Sequence, residues 1–205
     1  MNVLKTIFVV AALAVSGAAV ASPAWTYVDG GLFIGDSGFK DAETQGLVFG
    51  GSFGFANMWH VQLDLAAGEV GGGKGEDCGQ QCVDGEDLWA YAVRGGLHPS
   101  LTDNTDFVLD LGYSNLELKK ATEKNETSTI DIRTGVRSDV GPVELRAFIS
   151  LGFFDGEASI EEGREITYTV GTQYNFTRAL ALGADATVSD SDDVIDIYFR
   201  WSFGG

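Results

Sequence analysis

Two histidines, two cysteines and a set of arginines and carboxylates are the residues of this chain able to do chemistry. Acid–base or Ser–His catalysis needs a histidine, or a comparable base, within hydrogen-bond reach of its partners. His60 and His98 both fall beside short connections, and no long connection contains a histidine. No catalytic residue is therefore assigned, and the chain is not expected to be an enzyme. His60 reads as a hydrogen-bonding residue of an enclosed face and His98 as a turn residue. Cys78 and Cys82 lie in one acidic segment, Glu-Asp-Cys-Gly-Gln-Gln-Cys. In an oxidising, exported compartment they are expected to form a local disulfide of modest stabilising effect, because the ring is small. Zinc would need further His or Cys ligands nearby. No cofactor is implied.

The charged residues divide into two sets. Asp190, Asp192 and Asp193 form a dense acidic cluster in one of several acidic long segments, and such oxygens suit a hard divalent cation. The segment lacks the central glycine and closing glutamate of an EF-hand. The second set consists of Arg94, Arg133, Arg137, Arg146 and Arg200 with Asp64, Asp110, Asp131, Glu144, Asp185 and Asp196. These share one parity with the small residues Gly, Ala and Ser, opposite an apolar parity. Arginine is suited to enclosed ion pairs because its planar fork binds a carboxylate through two donors. The expected arrangement is a lumenal ion-pair network, a salt-bridged plug or the lining of a narrow ion path. Breaking one such enclosed pair costs roughly 3–5 kcal/mol.

The elements that must hold these residues are strands. Period-two alternation predicts ten of them: Trp25–Ile34, Gln45–Phe55, Met58–Gly68, Leu88–Leu97, Thr105–Leu116, Ser128–Arg137, Val143–Phe154, Glu165–Phe176, Ala179–Val188 and Val194–Phe203. Each is about ten residues long, the length of a tilted membrane strand. In the first strand Asp29-Gly30-Gly31 interrupts the pattern and suggests a bulge; an eight-stranded arrangement stays open as the alternative. Short connections alternate with long acidic ones, and an even strand count puts both termini on the short-turn side. The prolines, Pro23, Pro99 and Pro142, all fall outside the strands.

Composition narrows the function classes. The 205 residues carry a formal net charge of −17, with 44% hydrophobic and 21% charged residues. Apolar content this high argues for an ordered fold, and the acidic balance argues against nucleic-acid partners. Residues 1–21 read as a cleaved signal peptide. Lys5 supplies the positive region, Thr6–Val15 the short apolar run and Ala19-Val20-Ala21 the cleavage site. Residues 22–205 form the expected single domain.

Alternation alone does not say which face points outward. Small and ion-pairing residues on the polar face, and the absence of lysine from the predicted strands, favour an apolar exterior. Trp59, Trp89, Tyr113, Tyr168, Tyr174 and Trp201 lie near strand ends, as aromatic girdles do at membrane interfaces. The reading is an all-β, antiparallel up-and-down transmembrane β-barrel. The opening Trp25-Thr-Tyr-Val-Asp-Gly-Gly and the closing Ile195-Asp-Ile-Tyr-Phe-Arg-Trp-Ser-Phe203 resemble the small single-chain outer-membrane barrels of Gram-negative proteobacteria. That resemblance implies an outer-membrane location and delivery by the barrel assembly machinery. It also implies an assembly signal at Phe199, Trp201 and Phe203; in that family the last aromatic normally ends the chain, and here Gly204 and Gly205 follow. The expected function is a structural or surface-interaction role with at most a narrow pore. The protein is expected to be a monomer that meets outer-membrane lipid and lipopolysaccharide through divalent cations. The alternatives are a small-cation channel, a surface lipid-modifying enzyme and a soluble secreted β-protein.

Overall fold

A computed structural model describes residues 24–37, 42–55, 58–72, 86–120, 123–156, 163–190 and 192–203. Residues 1–21 and Cys78 and Cys82 lie outside the described residues. The strands are β1 (Tyr27–Ser37), β2 (Ala42–Phe55), β3 (Trp59–Gly72), β4 (Glu86–Leu97), β5 (Ser100–Thr102), β6 (Thr105–Lys120), β7 (Glu123–Val140), β8 (Val143–Gly156), β9 (Gly163–Asn175), β10 (Leu180–Val188) and β11 (Asp192–Ser202). Each long strand pairs antiparallel with its sequence neighbours, β4 reaching past the three-residue β5 to pair with β6. The ring closes where β1 meets β11, from Tyr27 opposite Ser202 to Ser37 opposite Asp192. The result is a closed ten-stranded barrel, and closure leaves none of the ten long strands as a sheet edge.

Side-chain parity decides what each wall carries. Leu111 and Phe199 on the outer wall are 61% and 66% exposed, whereas Asp106 is 1% and Glu144 2% exposed inside. A continuous apolar outer wall of this size is not compatible with water; hydrocarbon is its natural solvent, as in transmembrane barrels. The short turns gather at the end that also holds both ends of the described barrel. One of them, Val140–Val143, is made by Gly141 at φ 66°, a conformation that favours glycine.

The structure corrects the sequence reading of the first strand. β1 runs in unbroken register with both β2 and β11, without a bulge, and the barrel has ten strands rather than eight. Alternation fades there because glycine occupies both faces. A Cβ at Gly30 would come 3.1 Å from the Phe49 ring on the outside, and one at Gly31 would collide with the backbone of Ile197 and Tyr198.

The ladders also outrun the predicted strands. In the β6–β7 hairpin, pairing continues through Glu117 opposite Glu126 to Lys120 opposite Glu123, over residues expected to form a loop. Lys124 pairs there with Glu117 at 3.1 Å and with Glu126. Beyond the apolar belt consecutive residues of the strand, Lys124, Asn125 and Glu126, are all exposed, so the apolar alternation ends while the hydrogen-bond ladder continues.

Candidate functional site: the barrel lumen

Inward parity brings Arg94 of β4, Arg133 and Arg137 of β7, Arg146 of β8 and Arg200 of β11 into one enclosed space with carboxylates from neighbouring strands. Arg94 bridges two of them, Asp64 at 2.9 Å and Asp131 at 3.3 Å. Arg133 donates to Asp110 at 2.7 Å and to Gln62 at 2.9 Å, and Gln62 in turn donates to Asp64 at 2.9 Å. Arg137 grips Glu144 through two donors at 3.1 and 2.8 Å. Arg146 grips Asp185 at 2.8 and 2.7 Å and also meets the Tyr198 hydroxyl. Arg200 reaches Asp29 at 2.7 Å. Glu144 is the hub, with Arg146 at 3.8 Å and Arg200 at 3.9 Å in addition to Arg137. Asp196 alone of the expected carboxylates makes no direct ion pair with an arginine among the described residues; Arg146, which binds Asp185 opposite it, is its nearest attracting charge.

Lumenal glycines make room for these pairs. A Cβ at Gly112 would come 2.8 Å from Arg94, and one at Gly171 would come 2.7 Å from Arg146 Nε. The pairs lie flat on the sheet where the neighbouring strand has no side chain.

The floor, at the short-turn end, is a second cluster that sequence reasoning did not assemble. Trp25, just ahead of β1, turns into the lumen. Its ring stacks on His98 at 4.1 Å and lies 4.4 Å from His60, and the Arg137 guanidinium sits over it at 4.2 Å. Trp25 Nε1 donates to Asp106 at 2.8 Å, and Ser100 donates to the same carboxylate at 2.7 Å. Arg137 also donates to the Ala24 carbonyl at 3.2 Å. His60 Nε2 lies 3.0 Å from Asp110. His98 is therefore more than a turn residue. It is 6% exposed and packs inward, and burial together with nearby His60 pushes its imidazole below the usual histidine range.

Above this floor the lumen holds a cavity of about 470 Å³. Toward the long-loop end the lining is Ser114, Thr129, Ser150, Thr167 and Thr187, with one carboxylate, Glu165, beyond Thr167. Several arginines lie against aromatic rings that sequence reading left unassigned. Arg200 stacks on Tyr27 at 3.6 Å, and Arg133 on Phe148 at 4.7 Å. Parity was the available signal: Phe148 and Tyr198 stand between outward residues, so each must turn inward.

The remaining predicted residues lie elsewhere. Trp59, Trp89, Tyr113, Tyr168, Tyr174 and Trp201 are exposed on the outer wall, as are Phe199 and Phe203 beside Trp201. Asp190, Asp192 and Asp193 do not converge on a metal position; among the described residues no group of three or more potential ligands does. Asp190 lies in the turn before β11, and the adjacent Asp192 and Asp193 point to opposite faces of that strand.

The sequence matches no protein-family profile and no curated protein. Among solved structures, a KdgM porin in complex with disordered oligogalacturonate is similar at a TM-score of 0.42 and 10% identity, covering 87% of this chain and 99% of its own. The β domain of the Bordetella autotransporter BrkA reaches 0.48 at 14% identity, covering 88% of this chain and 100% of its own. The COG4313 outer-membrane channel from Pseudomonas putida F1 reaches 0.48 at 10% identity, covering 92% and 99%. Likenesses this distant carry no ligand or activity to this chain.

Proposed function

We propose that this chain is an integral barrel of a Gram-negative outer membrane, non-catalytic and monomeric. Its lumen is closed at the periplasmic end, and it acts at the cell surface through its acidic outer rim. The observation that carries the reading is the floor. Trp25 is held between His98, His60 and Arg137 and tied to Asp106, while the ion pairs brace the wall around it. A path for large solutes would need a much wider barrel, since eight strands enclose little more than side chains and ten only somewhat more. The apolar outer wall supports the membrane location, and ring closure suits a monomer. His60 and His98 both lie in the floor, beside Trp25.

Planar-bilayer recording of the full refolded chain tests the closed floor. The wild type should give no sustained conductance steps, and Trp25→Gly should introduce them. Steady porin-like conductance from the wild type would overturn the reading. A small-cation path is the second reading. It is favoured by lumenal carboxylates Asp29, Asp64, Asp106, Asp110, Asp131, Asp139, Glu144, Asp185 and Asp196 outnumbering the five arginines, and it predicts that any current selects cations over chloride.

A further inference from the structure

We propose that Trp25 is a pH-sensitive latch on the short-turn mouth of the barrel, released when His98 takes a proton. The inference deepens the closed-floor reading and rests on it. Thr26, the residue before β1, is still tied into the wall. Phe203 N–H donates to its carbonyl at 2.8 Å, and Gly54 N–H donates to its Oγ1 at 3.1 Å. Trp25 lies one residue beyond those ties and lines the cavity at its floor. Its indole is held by Asp106, His98, His60 and Arg137, each of them charged or able to become so. A hold of that kind responds to pH, as an apolar plug would not.

The hydrogen bonding of His98 fixes where the proton goes. Its Nε2 lies 3.3 Å from the Trp59 carbonyl, which can only accept, so the neutral ring carries its hydrogen on Nε2 and leaves Nδ1 bare. Nδ1 lies 4.0 Å from Asp106 Oδ2. That is the oxygen to which Trp25 Nε1 donates at 2.8 Å, while Ser100 takes Oδ1. A proton added from solution to Nδ1 therefore creates a charged donor beside the same oxygen. A charge-assisted bond is stronger than one from a neutral indole, so the imidazolium takes Oδ2 and Trp25 loses its anchor.

The surroundings set the direction of the response. His60 of β3 lies 5.4 Å from His98, ring centre to ring centre, and the Arg137 guanidinium of β7 already sits over the indole at 4.2 Å. Behind them Asp110 is shared between His60 and Arg133, and Glu144 is bound by Arg137; Asp139 is the next inward residue of β7. With the mouth shut, burial and His60 outweigh Asp106 and hold the His98 imidazole below the usual histidine range. With Trp25 withdrawn, His98 is wetted and Asp106 Oδ2 is free for it, so the open mouth binds the proton more tightly. At neutral pH no proton is bound and the latch stays shut. As pH falls through the usual histidine range, each unit moves the balance toward the open mouth by up to about tenfold.

The test is planar-bilayer recording of the full refolded chain at about pH 7.5 and about pH 5, on either side of the histidine range. The wild type should be silent at the higher pH and open reversibly at the lower, with openings more frequent by about tenfold or more. His98→Gln keeps a donor for the Trp59 carbonyl and takes no proton, and His98→Phe keeps a ring against Trp25. Each, read on protein that retains the heat-dependent gel shift of the folded barrel, should stay silent at both pH values. Silence of the wild type at the lower pH, or undiminished acid opening in a folded His98 variant, would overturn the latch; the closed floor would still stand if Trp25→Gly conducts. Steady wild-type current at the higher pH would overturn the closed floor and the latch with it.

Discussion

Glu144 shows what one enclosed charge does here. It is 2% exposed and faces three arginines, with Arg137 bound through two donors and Arg146 and Arg200 just beyond hydrogen-bond range. Desolvation of so many charges is offset only while the set stays balanced. Glu144→Gln keeps the shape and removes the charge, leaving the guanidinium groups to repel one another. It should cost about 3–5 kcal/mol, the usual effect of breaking a buried pair, read as a lower temperature for the heat-dependent gel shift. Lys124, by contrast, meets Glu117 and Glu126 on a side chain 51% exposed to solvent. Water and salt screen that pair, so Lys124→Ala should leave the gel shift where it is.

At the scale of the strand, the ion pairs depend on what the neighbouring strand leaves out. Gly171 of β9 lies between Arg146 of β8 and Asp185 of β10, and a Cβ there would press on both. Gly95 of β4 faces outward, with nothing within 4 Å of its Cβ position. Gly171→Val should therefore destabilise by about 1–3 kcal/mol through overpacking. Gly95→Val should be neutral or slightly stabilising, since branched side chains suit strands. Urea unfolding of the two variants, compared side by side, checks the difference. The same glycines explain where strands were legible. Alternating apolar residues announced β2, β3, β6 and β8 clearly, but Gly30 and Gly31 erased the signal in β1 at a place where the ladder itself is regular.

The barrel as a whole is inverted relative to a soluble protein, and a single substitution tests that. Leu111 lies on the outer wall of β6, 61% exposed, opposite Ile132 of β7. In lipid, Leu111→Arg should lower the unfolding free energy by roughly 2–4 kcal/mol if it lies near the bilayer midplane. The measurement is urea unfolding of the barrel in liposomes. A soluble barrel would tolerate arginine at a wetted outward position, so a negligible effect would count against the membrane arrangement.

The period-two pattern by itself determined the strand class, and its parity determined which residues share a wall, because a strand alternates its side chains whatever surrounds it. That parity put Arg94, Arg133, Arg137, Arg146 and Arg200 with Asp64, Asp110, Asp131, Glu144, Asp185 and Asp196 before any pairing was visible. Only the tertiary structure decided the partners. Arg146 meets Asp185, 39 positions away, and Arg200 meets Asp29, 171 positions away. Such partners are set by register and ring closure, which no local window contains. The floor was hidden for the same reason: Trp25 precedes the first strand, and it reaches His60, His98 and Asp106 only once β1 has closed against β11 and carried it into the mouth of the barrel.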